Sequence, residues 1–167
     1  VNGVEGLKVA SMPTNSGFYY KGYAAFYHAD KFRDDHRNKQ SMKARSFIQM
    51  NRFIYVTDGD LLGGQLLFSV AVPFADNYMK MYTPTGTMKS DVNFTLSDIM
   101  VQPFMLAWHG EQWDAMIAVG GFLPTGYFDH KRMASVGRGY YTLMLNAGGT
   151  WYFDDAKSWH LSALTRY

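Results

Sequence analysis

Apolar and polar residues alternate along this chain with a period of two over unusually long stretches. Gly17 to Ala29 splits into Tyr19, Lys21, Tyr23, Ala25 and Tyr27 on one parity and Phe18, Tyr20, Gly22, Ala24 and Phe26 on the other, the first set being the wetter. In Arg45 to Thr57, Gln49 and Asn51 oppose Ile48, Met50, Ile54 and Val56. Arg52 falls on the apolar parity, which points to a bulge or an inward charge. Leu62 to Phe74 sets Leu62, Gly64, Leu66, Phe68, Val70, Val72 and Phe74 against Gly63, Gln65, Leu67, Ser69, Ala71 and Pro73. Phe94 to Trp108 places Asp98 and Gln102 opposite Ile99, Val101, Pro103, Met105 and Ala107. Trp113–Leu123, Arg138–Phe153 and Ser158–Tyr167 repeat the pattern. A two-residue period is that of strands and not of helices, so the spacing predicts about seven strands, no helix and an all-β fold.

The length of the runs narrows the architecture. Strands of soluble proteins usually hold about five or six residues, whereas a membrane strand tilted by about 45° needs roughly 9 to 11. These runs reach that length. Short turns are predicted at Asp58-Gly59-Asp60, 109–112 and 154–157, and longer polar loops at about 30–44, 75–93 and 124–137. Short turns at one end and long loops at the other are the anatomy of an outer-membrane barrel. Trp108, Trp113, Trp151, Tyr152, Phe153 and Trp159 gather beside the short turns, and Tyr27, Phe74, Phe94, Tyr127, Tyr140 and Tyr141 beside the long loops. Two such belts are expected where amphipathic rings sit at headgroup level.

Composition removes the competing classes. The longest apolar-rich run, Leu66 to Ala75, is broken by Ser69 and Pro73 and falls well short of the roughly 18 residues of a membrane helix. With 17% aromatic and 18% charged residues the chain does not have the composition of a disordered one. The net charge of +2 lacks the basic excess of a nucleic-acid footprint. Cysteine is absent, which excludes disulfides, thiolate metal sites and a cysteine nucleophile. At 167 residues the chain reads as a single domain, 1–167; Val1 to Pro13 has neither the basic nor the apolar region of a signal peptide, and residues 1–16 are expected to form a periplasmic segment of a mature or truncated product.

Candidate chemistry is sparse. His160 and Ser162 share one strand face, but about 7 Å of strand rise separates them, too far for a nucleophile–base pair. His109 and Glu111 sit in a tight turn. The five histidines are dispersed without ligand spacing, and the Asp-rich turns have the composition of solvated hairpins, so no metal or other cofactor is expected. The polar residues on strand-like runs remain as lumen candidates: Lys21, Arg45, Gln49, Asn51, Gln65, Asp98, Gln102, Arg138 and Asn146. Inside a barrel such side chains solvate the interior or steer a solute.

A series of phrases, in order along the chain, adds a resemblance. They are Gly3-Val4-Glu5-Gly6-Leu7-Lys8, Asn51-Arg52-Phe53, Val56-Thr57-Asp58, Asp98-Ile99 with Gln102-Pro103-Phe104, and Trp108-His109-Gly110 with Trp113-Asp114. Leu123-Pro124-Thr125-Gly126 with Asp129, Gly139-Tyr140 and the closing stretch from Trp151 through Leu161-Ser162-Ala163-Leu164 to Arg166-Tyr167 complete the series. In these the chain resembles the transporter family of the meta-pathway of phenol degradation, outer-membrane barrels of Gram-negative bacteria. The resemblance implies an outer-membrane location and uptake of hydrophobic or aromatic compounds, and it carries over no catalytic residue. Members of that family are longer, and seven is an odd strand number for a bacterial barrel. The chain is therefore expected to be a piece of a larger barrel truncated at its C-terminus, unless an eighth strand from residues 5–12 closes it.

The expectation is an antiparallel up-and-down transmembrane β-barrel that is a passive channel for small hydrophobic solutes. It is not expected to be an enzyme, and its partners are membrane lipid, lipopolysaccharide and the solute. The alternatives are a lipid-modifying outer-membrane hydrolase with His109 or His160 as base, a structural barrel, and a soluble lipocalin-like binder.

Overall fold

The computed structural model describes residues 10–30, 32–33, 39–40, 42–83, 86–132 and 134–167. They form no helix and ten strands: β1 (Gly17–Ala29), β2 (Phe32–Arg33), β3 (Lys39–Gln40), β4 (Met42–Leu61), β5 (Gly64–Thr83), β6 (Gly86–Leu96), β7 (Ile99–His109), β8 (Trp113–Leu123), β9 (Thr142–Tyr152) and β10 (His160–Arg166). The main sheet is an antiparallel meander in the order β1-β4-β5-β7-β8-β9-β10, with β6 also pairing β5 and a two-residue ladder between β2 and β3. Seven strands thus form the path, as the alternation predicts.

The sheet curls. If it were flat, β1 and β10 would stand about 29 Å apart at the usual spacing of about 4.8 Å per strand. Yet Tyr19 of β1 and Leu164 of β10 pack against one cluster made of Ile54, Val56, Leu67, Met105, Ala107, Met116 and Ala118. The result is a half-barrel with a concave and a convex face. Buried residues alternate with exposed ones along each strand, most cleanly in β8, where Asp114, Met116, Ala118 and Gly120 are buried and Trp113, Ile117 and Val119 are exposed.

Three features differ from the sequence expectation. Residues 75–93 are not a loop: β5 continues to Thr83 and returns as β6, from Phe74↔Leu96 up to Thr83↔Gly86. β6 and β7 follow one another along β5, interrupted only at Ser97–Asp98, where Ser97 N donates to Pro73 O at 2.8 Å. The first hairpin turns at Leu62–Gly63, with φ of 55° and 71°, and not at Asp58-Gly59-Asp60, which lies in a register shift of β4. Positive φ at both central residues is the two-residue turn whose twist matches the strands, and Gly63 adopts it without cost. The indole of Trp108 donates to Leu62 O at 3.2 Å and holds the strained leucine in place. Finally, a register shift between Val101 and Phe104 reverses the parity of β7, so Met100 and Gln102 share the concave face with Met105 and Ala107. Pro103, lacking an N–H, sits at that bulge, as prolines in strands do.

Beside this bulge β8 approaches β7 closely. A Cβ on Gly120 would lie 2.3 Å from Val101 O and 2.8 Å from Gln102 Cγ. Gly120→Ala is expected to force the two strands apart and cost about 1–3 kcal/mol, read as a fall in the urea unfolding midpoint.

The last hairpin depends on Asp154. Its carboxylate accepts N–H donation from Trp159 at 2.8 Å and Ser158 at 3.0 Å. These backbone donors, Trp159 foremost, hold the carboxyl below its ordinary value. With the folded pKa depressed, the contribution is full above the unfolded value and lost as pH falls through the folded one. Amide exchange at Ser158 and Trp159 is expected to accelerate as the pH falls below the ordinary carboxylate range of about 4, after correction for intrinsic rates, and Asp154→Asn to abolish that step.

Candidate functional site

The concave face is built in layers. Nearest the short turns is a polar cluster supplied by four elements. Asp114 stands at its centre, on β8 directly opposite His109 at the end of β7. One carboxylate oxygen meets His109 Nδ1 at 2.9 Å; the other accepts the Tyr152 hydroxyl at 2.6 Å and the Ser11 hydroxyl at 2.5 Å. Ser11 Oγ and Tyr152 Oη are also 2.6 Å apart. Beside them Thr150 Oγ1 and Ser162 Oγ pair at 2.9 Å. Among the described residues the Nε2 of His109 and the Nδ1 of His160 are buried without a hydrogen-bond partner.

Above this cluster lies the apolar floor described with the fold, and Ala10 and Met12 are part of it. The described part of the N-terminal segment therefore lies against the concave face at the short-turn end. Its backbone is tied down as well: Gln65 Nε2 donates to Thr14 O at 3.0 Å and the Tyr19 hydroxyl to Asn15 O at 2.8 Å.

A polar rung follows. Arg52, 4% exposed, donates from Nε to Ser69 Oγ at 2.9 Å and from Nη2 to Gln102 Oε1 at 2.9 Å. Arg166 Nε donates to Asn146 Oδ1 at 2.9 Å on the far side of the sheet. The next layer is rich in methionine: Met100 and Met144 with Ala71, flanked by Met50 and Phe122. At the long-loop end, Ala75, Val92 and Val136 pack with Ile48. Val136 belongs to the 124–141 loop, which folds back over the sheet. Asp98 anchors this loop by accepting Gly126 N at 3.1 Å and Arg138 N at 2.8 Å, and the Ser97 hydroxyl donates to Val136 O.

The structure brings together only part of the predicted lumen set. Gln65, Gln102 and Asn146 are on the concave face, and Lys21 lies on the concave parity of β1, paired in register with Arg52. Asp98 is buried, but it holds a loop. Arg45, Gln49 and Asn51 have the convex parity of β4, shared with exposed Phe47, Phe53 and Tyr55. There Arg45 lies over the Tyr78 ring at 4.7 Å, and Asn51 Oδ1 accepts the Tyr20 hydroxyl at 2.7 Å. Arg138 precedes β9 and lies over the Phe122 ring at 4.6 Å. The reason for the inversion is packing. Ile48, Met50, Ile54 and Val56 of β4 all pack into the concave clusters, so its apolar parity turns inward and its amides turn out.

Sequence reasoning passed over Ser11, Asp114 and the methionines. Eleven methionines in 167 residues were the available signal. Tyr152 is not part of the aromatic belt; it shares the parity of Thr150 and is buried on the concave face. Ser162 pairs with Thr150 and not with His160, and Asp114 stands between Ser11 and His109, so neither serine has an imidazole in reach as a base. Among the described residues no three histidine or carboxylate side chains come together as a metal site.

The convex face carries the rings. Phe18 and Tyr55 meet at 4.9 Å and Tyr20 and Phe53 at 5.4 Å, near the short turns, where Trp113 and Trp151 are cross-strand partners. Phe94 lies 5.6 Å from Phe74 and 6.1 Å from Phe47 at the other end. Between the two bands the exposed residues include Phe68, Val70, Ile117, Val119, Leu143 and Leu145.

The family model described as "Putative MetA-pathway of phenol degradation" matches residues 29–167, and the chain belongs to that family. No curated protein and no solved structure matches it.

Asp98→Ala is expected to release the 126–138 loop. Trypsin should then cut faster at Lys131, Arg132 and Arg138 than in the parent, with the product masses locating the cuts.

Proposed function

We propose that this member of the phenol-degradation family is an outer-membrane barrel that admits small hydrophobic or aromatic compounds by passive diffusion along its concave face. The observation that carries the reading is the division between the two faces. Soluble monomers rarely expose an apolar patch beyond about 300–600 Å². Here rings and aliphatic side chains cover the convex face from Trp113 and Trp151 up to Phe74 and Phe94. From Trp113 to Leu123, residues of the same face, the β8 rise is about 33 Å, which at a tilt of about 40° projects to roughly 25 Å, matching the apolar band of about 25 Å on known barrels.

The concave face supports the solute class. A water-filled pore would be lined with charge, but this face carries Met105 and Met116 between its two polar layers and Met50, Met100 and Met144 beyond the second. Methionine is flexible and polarisable and contacts aromatic rings favourably through sulfur, by about 0.3–1.5 kcal/mol. Such a lining accepts flat apolar molecules of varied shape without a dedicated subsite. The short turns then face the periplasm and the long loops the exterior, with membrane lipid and lipopolysaccharide against the convex face.

The test is uptake of a labelled monoaromatic hydrocarbon, toluene, by cells whose outer membrane carries the chain. Faster uptake than in cells without it is expected. Equal rates with the protein correctly inserted would sink the proposal.

A further inference from the structure

We propose that the segment Ala10–Ser16 is a displaceable plug of the concave face, with Ser11 as its catch. The proposal rests on the conduction reading and adds a gate to it. The segment is not a strand of the sheet. It crosses the concave face at the short-turn end, where Ala10 is fully buried and Met12 is 8% exposed. Both sit on residues contributed by β4, β5, β7 and β8, the surface a solute would have to cross on its way to the periplasmic side.

The way it is held differs from a strand's attachment. A strand is fastened by a ladder of backbone bonds, whereas among the described residues this segment is held through side-chain bonds. Ser11 donates to Asp114 and contacts Tyr152 Oη, Gln65 reaches Thr14 O, and Tyr19 reaches Asn15 O. The Asp114 seat also survives release, because His109 Nδ1 and the Tyr152 hydroxyl continue to satisfy the carboxylate when Ser11 leaves. Departure therefore does not strand a bare buried charge, the cost that would otherwise fix such a contact permanently. The apolar part of the seat is equally suited to exchange. Met12 belongs to the same buried cluster as Met105 and Met116, and an apolar solute presents the same chemistry to those side chains.

A reversible lock tests this directly, since the chain has no cysteine of its own. A Cβ at position 148 would lie 3.5 Å from Ala10 Cβ, within the range of a disulfide. The end of the Leu164 side chain, 2.9 Å from that Cβ, has to swing aside, and the Ala163 carbonyl oxygen, 3.0 Å away, has to give by a few tenths of an ångström. Ala10→Cys with Gly148→Cys should cross-link in the oxidising envelope. Toluene uptake is then expected to drop to that of cells lacking the protein, and to return on reduction. Ser11→Ala, which leaves Asp114 bonded to His109 and Tyr152, serves if the double variant does not fold, and is expected to raise uptake.

A cross-link that forms without changing uptake overturns the gate and leaves the conduction reading intact. Failure of folded protein to cross-link, or unchanged uptake in Ser11→Ala, also overturns the gate. No uptake by the reduced or the parent protein, despite full cross-linking, overturns conduction and the gate with it.

Discussion

The structure depends on one constraint: a strand sends successive side chains to opposite faces, so seven long antiparallel strands create two surfaces that cannot share an environment. Between β1 and β10 neighbouring strands satisfy one another's backbone N–H and C=O groups laterally, which frees the side chains of both faces from that task. The convex face therefore becomes a largely apolar wall carrying Phe18, Tyr55, Phe68 and Leu145, with Gln49 and Asn51 of β4 among its rings. The concave face becomes an interior that has to be filled. A one-residue slip in any strand would exchange the two, and the bulge at Pro103, like the register shift between β5 and β6, is a place where the chain makes such a slip and keeps its faces.

The filling of the interior connects fold to chemistry. Polar layers made of Asp114 with Tyr152, and of Arg52 with Gln102, alternate with apolar ones made largely of methionine. Buried charge is tolerated because each group is hydrogen-bonded across strands, so the polar layers also tie neighbouring strands together. The apolar layers owe their adaptability to unbranched side chains. The N-terminal segment and the 124–141 loop close on this interior from opposite ends, one pinned by Asp114 and the other by Asp98.

Much of this was legible in the sequence. The strands of β1, β8, β9 and β10 lie where the alternation predicts them, and the odd residues 65–73 are the concave set of β5 as their smaller, wetter character suggests. The family also followed from motifs spread along the chain. What failed was the rule that polar parity faces inward. Arg45, Gln49 and Asn51 point outward because the other parity of β4 packs into the concave clusters; Tyr78 and Tyr20 meet Arg45 and Asn51 there, and no one-dimensional pattern records that. The β5–β6 hairpin was hidden by polar residues that alternate poorly, and the Leu62–Gly63 turn by a leucine at positive φ, which turn chemistry disfavours. Tyr152 was misplaced by grouping it with its neighbours in sequence instead of with its parity. The site centred on Asp114 joins residues 11, 109, 114 and 152, a juxtaposition only the folded sheet makes.

The claim on which the rest stands is that the convex face meets lipid. All four tryptophans, Trp108, Trp113, Trp151 and Trp159, lie at the short-turn end of the sheet. Their fluorescence in vesicles of lipids brominated at different depths therefore reports on one edge of the apolar band. Strong quenching by bromines near the headgroups, falling toward the bilayer centre, is the expected result. No quenching at any depth, or quenching strongest at the centre, would contradict the account.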